Sequence, residues 1–211
     1  MLPGPFTPFP AVVPLTTLLV IPAETNSAPD RAAAAEFPAT LGTREKLSTF
    51  IVGYGVGIGI PLILGIVFST AFHHTAALLF PLVFASVLLL CYLLHPTGFV
   101  VTAKEITVVR HLMPYAVALN RLESIACPAS RPEGFTIGLL RVVGIYGTFG
   151  IFWNRGWGVY RVFVTDHSKQ VELALTGGSH VIVSPADPAA FVAAVRNSAS
   201  RAGVALKPGG T

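Results

Sequence analysis

The residues that could do chemistry are few and scattered. Histidines stand at His73, His74, His95, His111, His167 and His180, and the two cysteines are Cys91 and Cys127. His73 and His74 lie a helix length of roughly 28 Å from His95, and His111, His167 and His180 have no ligand spacing. The cysteines have none either, so neither a zinc site nor a disulfide framework is expected. Asp166 reads as a turn residue and Asp187 as a helix cap. The run GYGVGIG (53–59) follows no strand and precedes no Lys-Ser/Thr, which removes a phosphate loop. With no nucleophile motif and no paired carboxylates, the expectation is no enzyme, no cofactor and no metal.

The richest segment is Gly134 to Tyr160, with seven glycines and seven aromatics, Phe135, Tyr146, Phe149, Phe152, Trp153, Trp157 and Tyr160, and with Arg141 and Arg155 among them. Tyr and Trp favour the membrane–water boundary and Arg pairs with phosphate, so Arg141, Tyr146, Phe149, Phe152, Trp153, Arg155 and Trp157 are candidate contacts for a membrane interface or a partner. The same glycines suit a bent strand pair that packs aromatics into a core. Both readings stand at this point.

These residues are positioned by a stretch of unusual oiliness. Leu47 to Ala103 runs 57 residues without Asp, Glu, Lys or Arg. A hydrocarbon core about 30 Å thick needs roughly 20 apolar residues; Phe50 to Phe72 supplies 23 and Ala76 to Leu94 supplies 19. The short break at His73, His74 and Thr75 predicts an antiparallel transmembrane hairpin. Arg31, Arg44 and Lys46 flank one end, Lys104 and Arg110 the other, and the turn has neither Lys nor Arg, so both termini are expected in the cytoplasm. Gly53 with Gly57 and Gly55 with Gly59 form two small-xxx-small pairs, a seam for packing within the hairpin or for a dimer. Pro61 predicts a bend.

Residues 1–46 form a Pro- and Ala-rich lead-in, expected to be partly disordered, whose first helix begins near Leu41 to Glu45 with Thr43 as cap. The hairpin takes 47–96, a folded domain 97–206 and a tail 207–211. From Gly98, short β-branched runs separated by turn residues predict seven strands: Phe99 to Thr102, Ile106 to His111, Tyr115 to Leu119, Leu122 to Ala126, Val159 to Thr165, Val171 to Leu175 and Val181 to Ser184. Pro128 to Gly134 reads as a loop. Asp187 and Pro188 start a last helix with Phe191, Val192, Val195 and Ala199 on its apolar stripe. The expected fold is membrane-anchored α+β, a small antiparallel barrel or sandwich closed by a C-terminal helix.

The run GIYGTFGIFWNRGWGVYRVFVTD (Gly144 to Asp166), then VELAL and VIVSPADPAAFV, resembles the bacterial PH domain family of membrane-anchored proteins over Thr97 to Ala202. The resemblance implies a pleckstrin-homology-like (PH-like) fold behind a helical pair and no general activity. The turn Ala103-Lys104-Glu105 lacks the cation cluster that holds inositol phosphates in many such domains.

Charged residues are 11% of the chain and hydrophobic ones 53%, a membrane balance. From Lys104 onward eleven Lys and Arg face six Asp and Glu, a net of about +5. The cations are scattered, which argues against nucleic acid as a partner. The expected partners are the lipid bilayer and a protein, including a second copy of the chain. The expected role is a non-catalytic binding or scaffolding module on the cytoplasmic face of the cell membrane. The alternatives are a small component of a transporter or export complex, or an anionic-lipid-binding module.

Overall fold

Four alternating glycines followed by a proline leave the first helix short of side-chain support, and its backbone widens there. In the computed structural model, which describes residues 34–72, 79–130, 132 and 134–208, helix α1 has regular turns over Thr43–Ser48, wide π-type turns over Thr49–Gly59 and regular turns again over Ile60–Phe72. The N–H of Ile60 donates to Gly55 O, five residues back. The wide turns stop just before Pro61, so the irregularity expected at the proline is taken up in the turns that precede it. The run Thr43–Ala71, 29 residues long, is the one helix among the described residues long and apolar enough to cross a membrane by length and composition. Helix α2, Leu79–Leu94, is apolar but shorter at 16 residues. The turn expected at His73, His74 and Thr75 lies outside the described residues.

The remainder is β-rich, and the chain is α+β. Strands β1 (Ala35–Pro38), β2 (Pro96–Val101), β3 (Glu105–Arg110) and β4 (Tyr115–Ala118) form one antiparallel sheet in that order. Strands β5 (Leu122–Ala126), β6 (Thr136–Val143), β7 (Thr148–Asn154), β8 (Gly158–Val164), β9 (Val171–Leu175), β10 (Ser179–Val183) and the short β11 (Lys207–Pro208) form a second sheet, ordered β11-β5-β9-β10-β8-β7-β6. Inward positions of both sheets are fully buried: Phe99, Val101, Ile106 and Val108 on the first, Phe163, Val171, Leu173, Val181 and Val183 on the second. Helix α3, Pro188–Arg201, closes the sandwich with Phe191, Val195 and Ala199. Asp187 caps it by accepting from Ala190 N–H at 3.0 Å, and Pro188 opens it.

The lead-in, expected to be partly disordered, lies largely outside the described residues; its last part forms β1, which pairs with β2, Phe37 opposite Phe99, and the half-buried Phe37 ring meets Phe191 edge-on at 5.3 Å. Three expectations are corrected. Helix α1 starts at Thr43, within the expected Leu41 to Glu45, but its N-cap is Gly42, with no side-chain cap bond, so Thr43 does not cap it. The strands number eleven among the described residues rather than seven, because β6 and β7 lie inside the Gly-aromatic segment and β1 and β11 lie outside the expected domain bounds. The second sheet is also not purely antiparallel. The connection after β8 passes over the place of β10 to reach β9, and the hairpin through Gly177 and Gly178, both at positive φ, brings β10 back beside β8 in parallel.

Glycine is required at two of these joints. Gly147 (φ 115°) and Gly150 (φ 139°) sit where a Cβ would land on the carbonyl oxygens of Val164 and Leu140. Gly150 lies beside the register shift between Gly138 and Leu140 of the edge strand β6.

Candidate functional site at the helix and domain junction

Glycines on both sides of Tyr146 let the β6–β7 turn fold tightly against the base of α1. Gly144 and Gly147 have positive φ, and Tyr146 itself sits at φ 57°, a conformation that a residue with a Cβ holds only when its surroundings compel it. The compulsion is visible. Thr49 Oγ1 donates to Glu45 O at 2.7 Å and accepts the Tyr146 N–H at 2.8 Å, and the phenol oxygens of Tyr54 and Tyr146 are 2.7 Å apart. Burial first, and then this hydrogen bond, push the Tyr146 phenol far above its ordinary pKa, so it stays neutral.

Around Tyr146 the chain gathers more rings. Tyr92 meets it edge-on at 5.6 Å, and His95 lies 5.3 Å away. His111 stacks on His95 at 5.8 Å and lies 5.2 Å from Tyr92. Leu112 N–H donates to Leu93 O at 2.9 Å, tying the β3–β4 turn to the last turn of α2. Stacked imidazoles aim their lone pairs in parallel planes and not at a common point. Among the described residues no group of three His, Cys, Asp or Glu could hold a metal. The hydrogen bonds of the cluster tie the bases of α1 and α2 to the turns of the β domain.

The segment Gly134 to Tyr160 does not form one site. Tyr146 is at the junction. Phe149 is buried in the main core. Phe152 is buried on the opposite face of the second sheet, stacked on Tyr160 at 5.7 Å. Trp157 joins that face, parallel to the His180 ring at 4.2 Å. His180 Nδ1 is 2.8 Å from Glu172 Oε1, and Glu172 also accepts Ser130 N–H at 3.0 Å. Burial works upward on the Glu172 carboxyl, but these bonds outweigh it and hold its pKa below the usual range. Trp153, partly exposed, and Arg155, exposed, sit at the far end of β7, about 20 Å of strand from Thr148 at the junction. Arg141 is exposed on β6.

The glycines of α1 divide by direction. A Cβ at Gly53 would stand 3.7 Å from Ile145 Cγ2 and from Leu88 Cδ2, and one at Gly57 would stand 3.4 Å from Leu88 Cδ1. At Gly55 and Gly59 the nearest atoms are carbonyls of the same helix, at 3.9 and 3.7 Å. One pair therefore receives α2 and the other faces away from it.

Sequence reasoning missed Thr49, Tyr54, Tyr92, His95 and His111 as a group. Tyr92 and His95 share a helix face at three-residue spacing, which was the available signal. No family model matches the chain, and neither a curated protein nor a solved structure matches it.

Proposed function

We propose that this chain is a membrane-anchored, non-catalytic binding or scaffolding module, with α1 and α2 as a two-span hairpin and the β domain at the cytoplasmic face. The observation that carries this reading is the apolar exterior of the helices: Phe50, Ile63, Leu79, Leu82, Val83 and Leu89 are all exposed, and none of them joins the domain core, to which the end of α2 contributes Cys91 and Leu94. An apolar surface of that extent is at home in lipid. The pairing of β1, ahead of α1, with β2, after α2, favours entry and exit on one side. The domain offers a partner the edge strand β6, whose Ile137, Leu139, Leu140 and Val143 are exposed and whose outer edge carries no neighbouring strand among the described residues. The PH-like resemblance agrees with a sandwich closed by a C-terminal helix, and the mixed second sheet departs from it.

A second reading, a small component of a membrane transport or export complex, is favoured by Gly55 and Gly59, which face away from α2 and leave a smooth strip for another helix.

Cys127 is exposed and Cys91 buried, which gives a direct test. An impermeant maleimide should label Cys127 in inside-out vesicles and not in right-side-out ones. Labelling in right-side-out vesicles, or a full-length chain that stays in the aqueous fraction without detergent, overturns the proposal.

A further inference from the structure

Each of the two sheets sends one arginine to a shared ring pair, Tyr115 and Phe163. Along β3, Ile106 and Val108 face the core, and Arg110 continues the same side. Along β8, Phe163 faces the core, and Arg161 precedes it by two residues on that side. Tyr115, at the start of β4, lies 5.3 Å from Phe163 ring to ring. Each ring carries a guanidinium: Arg110 Cζ is 5.1 Å from the Phe163 centroid and Arg161 Cζ is 4.9 Å from that of Tyr115.

This cationic pair is poorly matched by its own protein. Arg161 donates once, from Nη1 to Tyr115 Oη at 3.3 Å. Arg110 makes no hydrogen bond or ion pair through its guanidinium among the described residues, and its Nε is buried without a partner. The described carboxylates of residues 97–206 are engaged elsewhere: Glu105 with Thr107, Glu123 with Lys207, Glu172 with His180, Asp166 with Ser168 and Asp187 at the start of α3. Burial first, and then the charge of Arg161, pull the Arg110 pKa below its usual value, with Tyr115 opposing. Two half-buried like charges are costly unless something negative offsets them.

The geometry points to a phosphate-type oxyanion held between Arg110 and Arg161. Guanidinium forks match tetrahedral oxyanions in shape as well as charge, and the rings of Tyr115 and Phe163 fix the direction of both forks. The source of the oxyanion is a lipid headgroup or a soluble phosphate. Arg110 lies opposite Pro96, two residues beyond the end of α2, which is headgroup level on the membrane reading above. The lipid source rests on that reading, and the soluble source does not.

The test uses the full chain purified in detergent without phosphate. Inorganic phosphate is titrated at constant ionic strength and read by ³¹P line broadening and by Tm, for wild type, Arg110→Gln, Arg161→Gln and the exposed control Arg196→Gln on α3. Wild type and the control should broaden the signal saturably and gain Tm. Arg161→Gln should begin at least as stable, because a repelling charge is gone, yet lose phosphate affinity tenfold or more. In phosphatidylcholine nanodiscs, displacement of phosphate by added phosphatidic acid assigns the headgroup as the source, and phosphate binding without displacement assigns a soluble one. If neither phosphate nor phosphatidic acid distinguishes wild type from Arg110→Gln and Arg161→Gln, the inference falls. Failure to insert into nanodiscs overturns the membrane reading alone, because the detergent titration still decides the site.

Discussion

Tyr54 and Tyr146, 92 residues apart, share a hydrogen bond of 2.7 Å between their phenol oxygens. One phenol stands on the apolar helix α1 and the other on a strained turn of the β domain. The bond joins the two parts of the protein, and its loss should be felt in both.

Tyr146→Phe keeps the ring among Tyr92 and His95 and removes only that bond. Thermal unfolding in detergent should show a loss of about 1 kcal/mol. Thr49→Val takes away the acceptor that holds the turn's N–H and should cost about 1–3 kcal/mol, since a part-buried donor is left without its partner.

Gly150→Ala should be among the most damaging single changes. It adds a Cβ where Leu140 O already stands, at a φ that L residues rarely adopt, and a loss of about 3 kcal/mol or more is expected. Gly158→Ala, at positive φ but in open space, should cost only about 1 kcal/mol. Comparing their denaturation midpoints separates overlap from backbone strain.

Glu172 links stability to pH. Its folded pKa lies below the ordinary value of about 4.3, so its contribution is fully present above that value and is lost as pH falls through the lower folded one. Glu172→Gln should lower stability at neutral pH by about 1–3 kcal/mol and flatten the acid limb of the profile, measured as Tm from pH 7 to pH 3.

Gly57→Leu would drive a side chain into Leu88 on α2 and should destabilise the isolated chain, whereas a Cβ at Gly55 meets only a carbonyl of its own helix, at 3.9 Å, and Gly55→Leu should not. If Gly55→Leu nevertheless abolishes crosslinking to a membrane partner in cells, the outward glycine strip is an assembly surface. Leu140→Lys on β6, an exposed position, should leave stability within about 0.5 kcal/mol and weaken any association that uses the sheet edge.

The sequence made the local elements legible and left the long-range ones hidden. The apolar period of α2, the strands from Phe99 to Ala126 and the Asp187-Pro188 start of α3 depend on neighbouring residues, and all lie close to where the residues put them. β6 and β7 are legible only as a bent strand pair without bounds, one of two open readings of that segment, because Gly138, Gly144, Gly147 and Gly150 break up the β-branched pattern. Their roles, a bulge between β6 and β7 and close backbone approaches to Leu140 on β6 and Val164 on β8, exist only once these strands are paired. The parallel pairing of β10 with β8 is likewise invisible to spacing. The junction gathers residues 49, 54, 92, 95, 111 and 146, no two of which form a recognised motif, and Arg110 and Arg161 meet only because two sheets face each other.

The base of α1 is gripped from two directions. Ahead of it, Gly42 N–H donates to Thr165 O at 3.1 Å and Thr165 Oγ1 donates to Thr40 O at 3.0 Å; at its side, Thr49 and Tyr54 hold the Tyr146 turn. A helix clamped in two jaws has no swivel. Torque applied to it at any depth reaches both sheets at once, and the β body turns with its stem like a key on its shank.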